Sequence, residues 1–136
     1  MNIIIKIVEQ KEQKFLTQGD WRPDEHGDMI ITITKCPDWR HEAGIAVHEL
    51  VELYISKNLG ITIEQCDEFD AMYEEGYRSG KIPLNKEPGY DKKCPYFLGH
   101  VWGDRFSFVL LWLLGVKWKD YVRETDKLIE DFVKLN

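Results

Sequence analysis

The most informative stretch of this chain is Ala46-Val47-His48-Glu49-Leu50-Val51-Glu52-Leu53. It belongs to a longer segment, Trp39 to Asn58, whose apolar residues recur at helical spacing and predict a helix. In that helix His48 and Glu52 are one turn apart and point the same way, while Glu49 lies beside His48. An imidazole and a carboxylate on one face, with a second carboxylate nearby, can hold a metal ion and activate its water.

The same helix carries a second stripe, in which ionisable groups occupy positions that a core-facing helix would give to apolar residues. Asp38 is the expected N-cap of this helix, and Gly60 lies near its C-terminal cap. Because three of the four stripe residues are ionisable, the stripe indicates a functional site on this face. Its members are His41, Ile45, His48 and Glu52.

Two short segments before the helix predict strands. Asn2 to Val8 is rich in β-branched residues. Met29 to Lys35 alternates isoleucine with threonine, which predicts a strand with Ile31 and Ile33 buried on one face. Between the two strands, Lys11 to Gly27 is polar and interrupted by glycines and a proline, so it is expected to be a loop or a wide hairpin connection.

After the first helix the chain is helical again. Thr62 and Gln65 form a capping-box pattern that starts the second helix. Residues 81 to 95 contain three prolines and a glycine and predict a long irregular segment. The predicted helices run from Ile63 to about Arg78, from Pro95 or Tyr96 to Gly115, and from Trp118 to Leu135. The fold class predicted for residues 1–136 is α+β, a small N-terminal antiparallel or mixed sheet of two or three strands packed against about four helices, in a single domain.

Composition excludes several classes of protein. A net charge of -6 argues against a protein that coats nucleic acid, which would normally be basic. The longest apolar run, Phe106 to Val116, is about half the roughly 20 residues that a membrane helix needs, and no signal peptide is recognisable, so a cytoplasmic protein is expected. The odd number of cysteines, Cys36, Cys66 and Cys94, argues against a disulfide scaffold and favours buried thiols.

A second pair of site-type residues lies on the third predicted helix. His100 and Asp104 are four residues apart and so share one face, and Gly99 and Gly103 flank them. Glycine within a helix costs about 1 kcal/mol relative to alanine, so a close approach of another backbone or of a ligand is expected there. Two helices that each present a histidine and an acid could close one site between them. Further candidate ligands or orienting groups are His41, Asp67 and Asp70.

The motif His48-Glu49-x-x-Glu52 resembles the HExxH signature of the zincin metallopeptidases, and the surrounding residues 29–56 also resemble small uncharacterised phage-type proteins. The resemblance implies a zincin-like domain in which His48 is a metal ligand and Glu49 is the general base acting on a metal-bound water. It also implies that the strand before the motif helix can hold a substrate backbone as an added strand.

The function expected from this resemblance is metal-dependent hydrolysis of a peptide or related amide. The expected partner is a peptide or small-molecule substrate, and no association with a membrane is expected. Glu52 would be the second ligand, His100 the third, and Asp104 either a fourth ligand or the partner of His100. Because Glu52 replaces the histidine of the peptidase signature, manganese or magnesium becomes competitive with zinc, the metal that the signature implies.

Two other functions remain open. Glu49-x-x-Glu52 followed by Glu64-x-x-Asp67 resembles the magnesium site of the MazG-like nucleoside triphosphate pyrophosphohydrolases, in which four carboxylates on two helices converge. That scheme gives His48 no role, and Glu64 lies in the first turn of its helix, where an acid already complements the helix dipole. The other alternative is a non-catalytic metal-binding accessory protein of phage type. The position of the carboxylates relative to His48 distinguishes these schemes.

Overall fold

Three strands form the N-terminal sheet. They are β1 (Ile3–Val8), β2 (Gly19–Pro23) and β3 (Met29–Thr34) in a computed structural model that describes residues 1–136. Their order in the sheet is β1-β3-β2. Because β1 runs parallel to β3 while β2 runs antiparallel to it, the sheet is mixed.

Strand β2 lies within the segment that the sequence predicts to be a loop, so that prediction is wrong over Gly19–Pro23. Its glycine and proline have structural reasons. A Cβ at Gly19 would lie 2.7 Å from side-chain atoms of Glu49 and Ile45, so only glycine allows the strand to approach the motif helix this closely. Pro23 ends an edge strand, the position in which a sheet tolerates proline.

The strand that precedes the motif helix is β3, and it lies at the centre of the sheet with a neighbour on each side. It therefore cannot take up a further strand, which corrects the expectation that it could hold a substrate backbone. The edge strand beside the motif helix is β2, which contacts that helix through Trp21 and Gly19.

Four helices follow the sheet, as predicted. They are α1 (Trp39–Asn58), α2 (Ile63–Arg78), α3 (Phe97–Leu113) and α4 (Trp118–Leu135). The side chain of Asp38 caps α1 by accepting from the backbone N–H of Arg40. Thr62 and Gln65 form the predicted capping box of α2. The irregular segment before α3 contains a short 3-10 turn, Pro88–Tyr90.

The hydrophobic core lies between the sheet, α1 and α3. Ile31 and Ile33 of β3 are fully buried against it, as the alternation in that strand predicts, together with Leu53 of α1 and Leu111 of α3. All four members of the ionisable stripe of α1 are buried as well. None of the four helices is both long enough and apolar enough to cross a membrane.

The two central helices, α1 and α3, pack closely because small residues line their contact. A Cβ at Gly99 would lie 2.9 Å from the backbone oxygen of Glu52, and one at Gly103 would lie 2.9 Å from the backbone oxygen of His48. One turn further along, the Ser107 hydroxyl donates to the backbone carbonyl of Gly44 at 2.6 Å. These contacts set the distance between the two helices that carry the candidate ligands.

The close approach predicts that Gly99→Ala destabilises the protein, although alanine is normally the better helix former. The added methyl group meets the backbone of α1, which cannot move aside, so we expect a loss of about 1–3 kcal/mol in the free energy of unfolding, measured by urea denaturation. The matched substitution Gly44→Ala meets only the flexible end of Leu111 and should cost less. A gain in stability at position 99 would contradict this packing.

Candidate metal centre

Three side chains converge between α1 and α3. Nε2 of His48, Nδ1 of His100 and Oε2 of Glu52 lie 3.1 Å from one another in every pairing. These atoms form an almost regular triangle, and the three residues are among the candidate metal-ligand groups in the structure. The two helices predicted to share one site do meet there, one supplying the histidine and carboxylate of the motif and the other supplying His100.

A carboxylate holds the far nitrogen of each imidazole ring. Nδ1 of His48 lies 2.9 Å from Oδ1 of Asp104, and Nε2 of His100 lies 3.1 Å from Oε2 of Glu87. In the metal-free protein the near nitrogens donate to Glu52, and a cation at the centre would displace those protons, so that each near nitrogen could offer its lone pair while the far nitrogen keeps its proton toward its carboxylate. Carboxylate-held histidines of this kind are the usual arrangement around protein-bound metals.

The remaining oxygen of Glu52 is held in place by β2. The indole N–H of Trp21 donates to Oε1 of Glu52 at 3.0 Å, in a buried contact. Oε2 is therefore left to face the two imidazoles. Each of the three ligand-type side chains thus has its second polar atom engaged elsewhere, which fixes the orientation of all three.

Charges within this cluster shift the pKa values of its members in opposite directions. Burial would raise the pKa of Glu52, but the hydrogen bonds with His100 and His48 outweigh it and lower the pKa to about 2. Burial would lower the pKa of His100, but contacts with Glu52 and Glu87 raise it to about 9. In His48 the contacts with Asp104 and Glu52 likewise outweigh burial and keep the pKa well above its usual value. The cluster therefore attracts positive charge strongly to its centre.

The triangle fits a small divalent cation. Ligand atoms about 2.0–2.2 Å from a tetrahedral zinc ion lie about 3.3–3.6 Å apart. The observed separations of 3.1 Å are within a few tenths of an ångström of that range. Two imidazole nitrogens and one carboxylate oxygen are also a donor set that catalytic zinc sites use, with the fourth position left open.

Glu49 lies beside this cluster and has no hydrogen-bond partner in the protein. Its side chain is buried, with 7% of the residue exposed, and it lines a cavity that opens onto the cluster. Burial, together with the negative charge of Glu52, raises its pKa well above the ordinary value. A buried, unpaired carboxyl with a raised pKa is a stronger base than an exposed glutamate and is available to a water molecule or a substrate.

Asp104 takes a different place from the one expected. The sequence predicts it as a fourth ligand or as the partner of His100, whereas it contacts the far nitrogen of His48 and also accepts from the Tyr90 hydroxyl. The partner of His100 is Glu87, which comes from the irregular segment before α3. Asp104 therefore contacts a candidate ligand of the other helix, and it also forms, with Glu87 and His100, a second group whose ligand-type atoms lie within 4.8 Å of one another, so its prediction as a further ligand stays open.

Three further candidates lie outside the triangle. His41 is buried at the start of α1, where Nε2 lies 4.0 Å from Asp38 and the ring meets Tyr121 edge-on. Asp67 pairs with Lys14 at 2.6 Å and with Arg22 at 3.3 Å.

The last of these candidates, Asp70, accepts a 2.5 Å hydrogen bond from the Tyr96 hydroxyl. Burial raises its pKa to about 7 despite that hydrogen bond. None of the three candidates makes a hydrogen bond or ion pair with either imidazole of the triangle. The structure therefore corrects the expectation that His41, Asp67 and Asp70 ligate the metal or orient its histidines.

The four carboxylates of the MazG-like scheme do not converge. Glu64 is exposed in the first turn of α2, and Asp67 is tied to the two basic side chains on its own side of the fold. Glu52 belongs to the triangle instead, and Glu49 lines the cavity beside it. A site built from two antiparallel acidic helices is therefore absent, and His48, which that scheme leaves unused, lies at the centre of the cluster.

The cavity that opens onto the triangle has a volume of about 370 Å³. Its walls come from α2, α4, the segment before α3, and residues 15–21, which include the start of β2; Glu49, His48 and His100 lie on its surface. Several aromatic side chains line it, including Tyr73, Tyr121 and Trp118. Its volume lies within the range of small-molecule and peptide side-chain pockets, which is about 300–1,000 Å³.

Sequence reasoning missed the groups that hold the candidate ligands in place. Trp21 lies in the segment predicted to be a loop, and Glu87 lies in the proline-rich segment, where no periodic pattern relates it to His100. Position 89 also requires glycine, because a Cβ at Gly89 would collide with the His100 ring. Glu-Pro-Gly-Tyr at 87–90 is the available signal, a tight turn with a carboxylate at its start.

Comparison with known proteins adds no constraint on the site: no protein-family model, curated protein or solved structure matches this chain. The chemistry of the metal centre is therefore inferred from its geometry and charge.

Loss of an orienting carboxylate should weaken metal binding. We expect Asp104→Asn to lower the affinity for Zn²⁺ about 10–100-fold, measured by competition with a chromophoric chelator, because His48 loses the group that orients its ring. The matched control is Asp126→Asn, which changes another carboxylate of the cavity wall without touching either imidazole. Equal affinities for the two variants would contradict the assigned role of Asp104.

Proposed function

We propose that this protein is a metal-dependent hydrolase of zincin type that acts on a peptide or a related amide. The observation that carries the proposal is the triangle of His48, His100 and Glu52, with each imidazole held by a carboxylate and with Glu49 unpaired beside it. Zinc is the metal that this donor set fits best, and manganese is the first alternative because a carboxylate is one of the ligands.

In this proposal some side chains bind the cation and others position those ligands. His48, His100 and Glu52 hold the cation, and Trp21, Asp104 and Glu87 keep those three in position. A divalent cation there would supply a Lewis acid and lower the pKa of a coordinated water.

Glu49 would accept the proton of the attacking water and pass it to the leaving amine. Burial raises the pKa of Glu49, and this supports the assigned role because a higher pKa makes the carboxylate a stronger proton acceptor.

The open side of the triangle supports a catalytic role over a structural one. Structural zinc sites are closed by four protein ligands. Here Asp104, a further carboxylate beside the triangle, contacts the far nitrogen of His48 and accepts from the Tyr90 hydroxyl. The cluster borders a cavity large enough to admit a ligand. The non-catalytic alternative has no comparable observation in its favour.

The charge of the cavity favours substrates that carry a positive group near the bond that is cut. Apart from the cluster and Glu49, its charged lining is acidic with the single exception of Lys86, and the acidic residues are Asp20, Asp70, Glu74, Glu87, Asp104, Asp126 and Glu130. Burial and the nearby charges of Glu87 and Glu130 raise the pKa of Asp126 to about 6, so this carboxyl has no cation to stabilise its ionised form. A cleft of one sign attracts and orients ligands of the opposite sign.

The proposed chemistry predicts that two neighbouring substitutions have different effects. Glu49→Gln should reduce hydrolysis of an internally quenched peptide library about 100-fold or more while leaving Zn²⁺ bound, because it removes the base and no ligand. His48→Ala should abolish stoichiometric Zn²⁺ binding, measured by elemental analysis after gel filtration. The exposed Glu68→Gln on α2 is the matched control and should change neither. Full activity in Glu49→Gln would refute the assigned base.

The acidic wall predicts a substrate preference. Among peptides that differ at one position, those with lysine should be cleaved faster than those with norleucine, and those with glutamate slowest, compared as kcat/KM. The double substitution Asp126→Asn and Glu130→Gln should reduce the lysine preference about 10-fold, since each exposed or half-buried charge pair contributes about 0.7 kcal/mol and the two together about 1.4 kcal/mol. Equal cleavage of the three peptides would exclude the proposed substrate preference but would leave the proposed hydrolase function intact.

A further inference from the structure

One face of α3 has nothing packed against it. Leu98, Trp102, Phe106, Val109, Trp112 and Leu113, here called the outer face of α3, follow one another at mostly three- and four-residue steps. Their exposed fractions are unusually large for apolar side chains, reaching 69% for Trp112 and 68% for Leu113 and 53% for both Phe106 and Val109. Single exposed apolar residues are ordinary, but a contiguous stripe of them indicates an interaction surface.

The opposite face of the same helix is already used. Gly99, Gly103, Ser107 and Leu111 are buried against α1, and they lie about half a turn away from the outer face. Burial within the protein therefore explains only one side of α3. The apolar residues on the other side require a different explanation.

The outer face continues onto the end of α1. A shallow groove joins Leu98, Trp102 and Phe106 to Tyr54 and Leu59, both about half exposed. Large side chains bury about 150–250 Å² each in an interface, so eight of them at these exposures offer on the order of 800 Å². That is the area which each partner contributes to a stable protein–protein interface of standard size.

The charge of the outer face of α3 indicates what kind of partner could cover it. The only ionisable residue within the stripe is Arg105, whose guanidinium lies over the Trp102 ring at 4.5 Å. Helices that bind the surface of a membrane combine such an apolar face with several lysines or arginines, which anionic lipids attract. This chain has a net charge of -6 and only one basic side chain in the stripe, so an anionic membrane is disfavoured.

We propose that the outer face of α3 is the interface of a homodimer, in which two copies of the chain pair this helix antiparallel across a two-fold axis. A two-fold axis brings the same patch of both copies together, and the stripe is apolar apart from one charge per copy, the Arg105 guanidinium, which lies over the Trp102 ring. In an antiparallel pair the Leu98 end of one helix lies beside the Leu113 end of its partner, with Phe106 near the axis. The metal centre lies on the other side of α3, so the cavity stays open in the dimer.

Sedimentation equilibrium of the full chain tests the interface directly. The wild-type protein should have about twice the chain mass of 16.1 kDa in the micromolar range. Trp112→Lys should raise the dimer dissociation constant about 30-fold or more, as expected when a charge replaces a large aromatic residue that an interface buries. Trp39→Lys is the matched control, because Trp39 is equally exposed, at 65%, but lies at the start of α1 outside the face, and it should leave the dimer intact.

A second variant, Leu98→Lys, should also weaken the dimer, and circular dichroism should show native helix content in all three variants. A wild-type protein that stays monomeric throughout the micromolar range overturns the proposal. So does a dimer that survives Trp112→Lys and Leu98→Lys together. A monomer that co-sediments with vesicles of phosphatidylcholine and phosphatidylglycerol would instead assign the face to a membrane surface. None of these outcomes depends on metal binding or hydrolysis.

Discussion

Without side chains at Gly99 and Gly103, α3 lies against the backbone of α1, and this contact brings His100 to His48. A Cβ at either position would lie 2.9 Å from a backbone oxygen of α1, so the helices would have to move apart and the distances within the cluster would change with them. Helix packing and site chemistry are therefore one constraint in this protein. The glycines lower the intrinsic helix propensity of α3, and the close packing that they permit offsets that cost.

The same contact buries an unusual amount of charge in a domain of 136 residues. Burying ionisable groups is unfavourable unless each has partners, and here the groups are linked in a continuous chain. Glu87 holds His100, Glu52 lies between the two imidazoles, Asp104 holds His48, and Tyr90 donates to Asp104. Glu49 is the exception, since it is buried without a partner. A carboxyl kept in that state is what a general base requires, and it is the strongest sign in favour of a catalytic role.

Local patterns in the sequence predict the helices and their boundaries, because α1 and α2 carry clear N-caps at Asp38 and Thr62. They also predict that two histidine and carboxylate pairs meet, since spacing of four residues on a helix fixes a common face. Local patterns do not predict strand β2, because glycine and proline are typical of turns. In this strand Gly19 allows a close contact with Glu49, and Pro23 is tolerated because the strand lies at the edge of the sheet. Both reasons depend on long-range contacts that no local window contains.

The partners of the histidines are beyond sequence reasoning for the same reason. Asp104 lies four residues after His100, which makes it the expected partner of that ring, yet the rotation of α3 turns this carboxylate toward His48. Glu87 and Trp21 reach the cluster from segments without periodicity. Helical spacing specifies which side chains share a face of one helix. Which side chains of the neighbouring helix they contact depends on how the two helices pack.

X-ray absorption at the zinc edge of the stoichiometric Zn²⁺ complex tests the central claim most directly. We expect one ion per chain with two imidazole nitrogens at about 2.0–2.1 Å and the remaining ligands oxygen, since His48, His100 and Glu52 surround a single centre. A spectrum without the multiple scattering of two imidazoles, sulfur ligation, or a failure of the protein to bind zinc or manganese stoichiometrically would contradict the account.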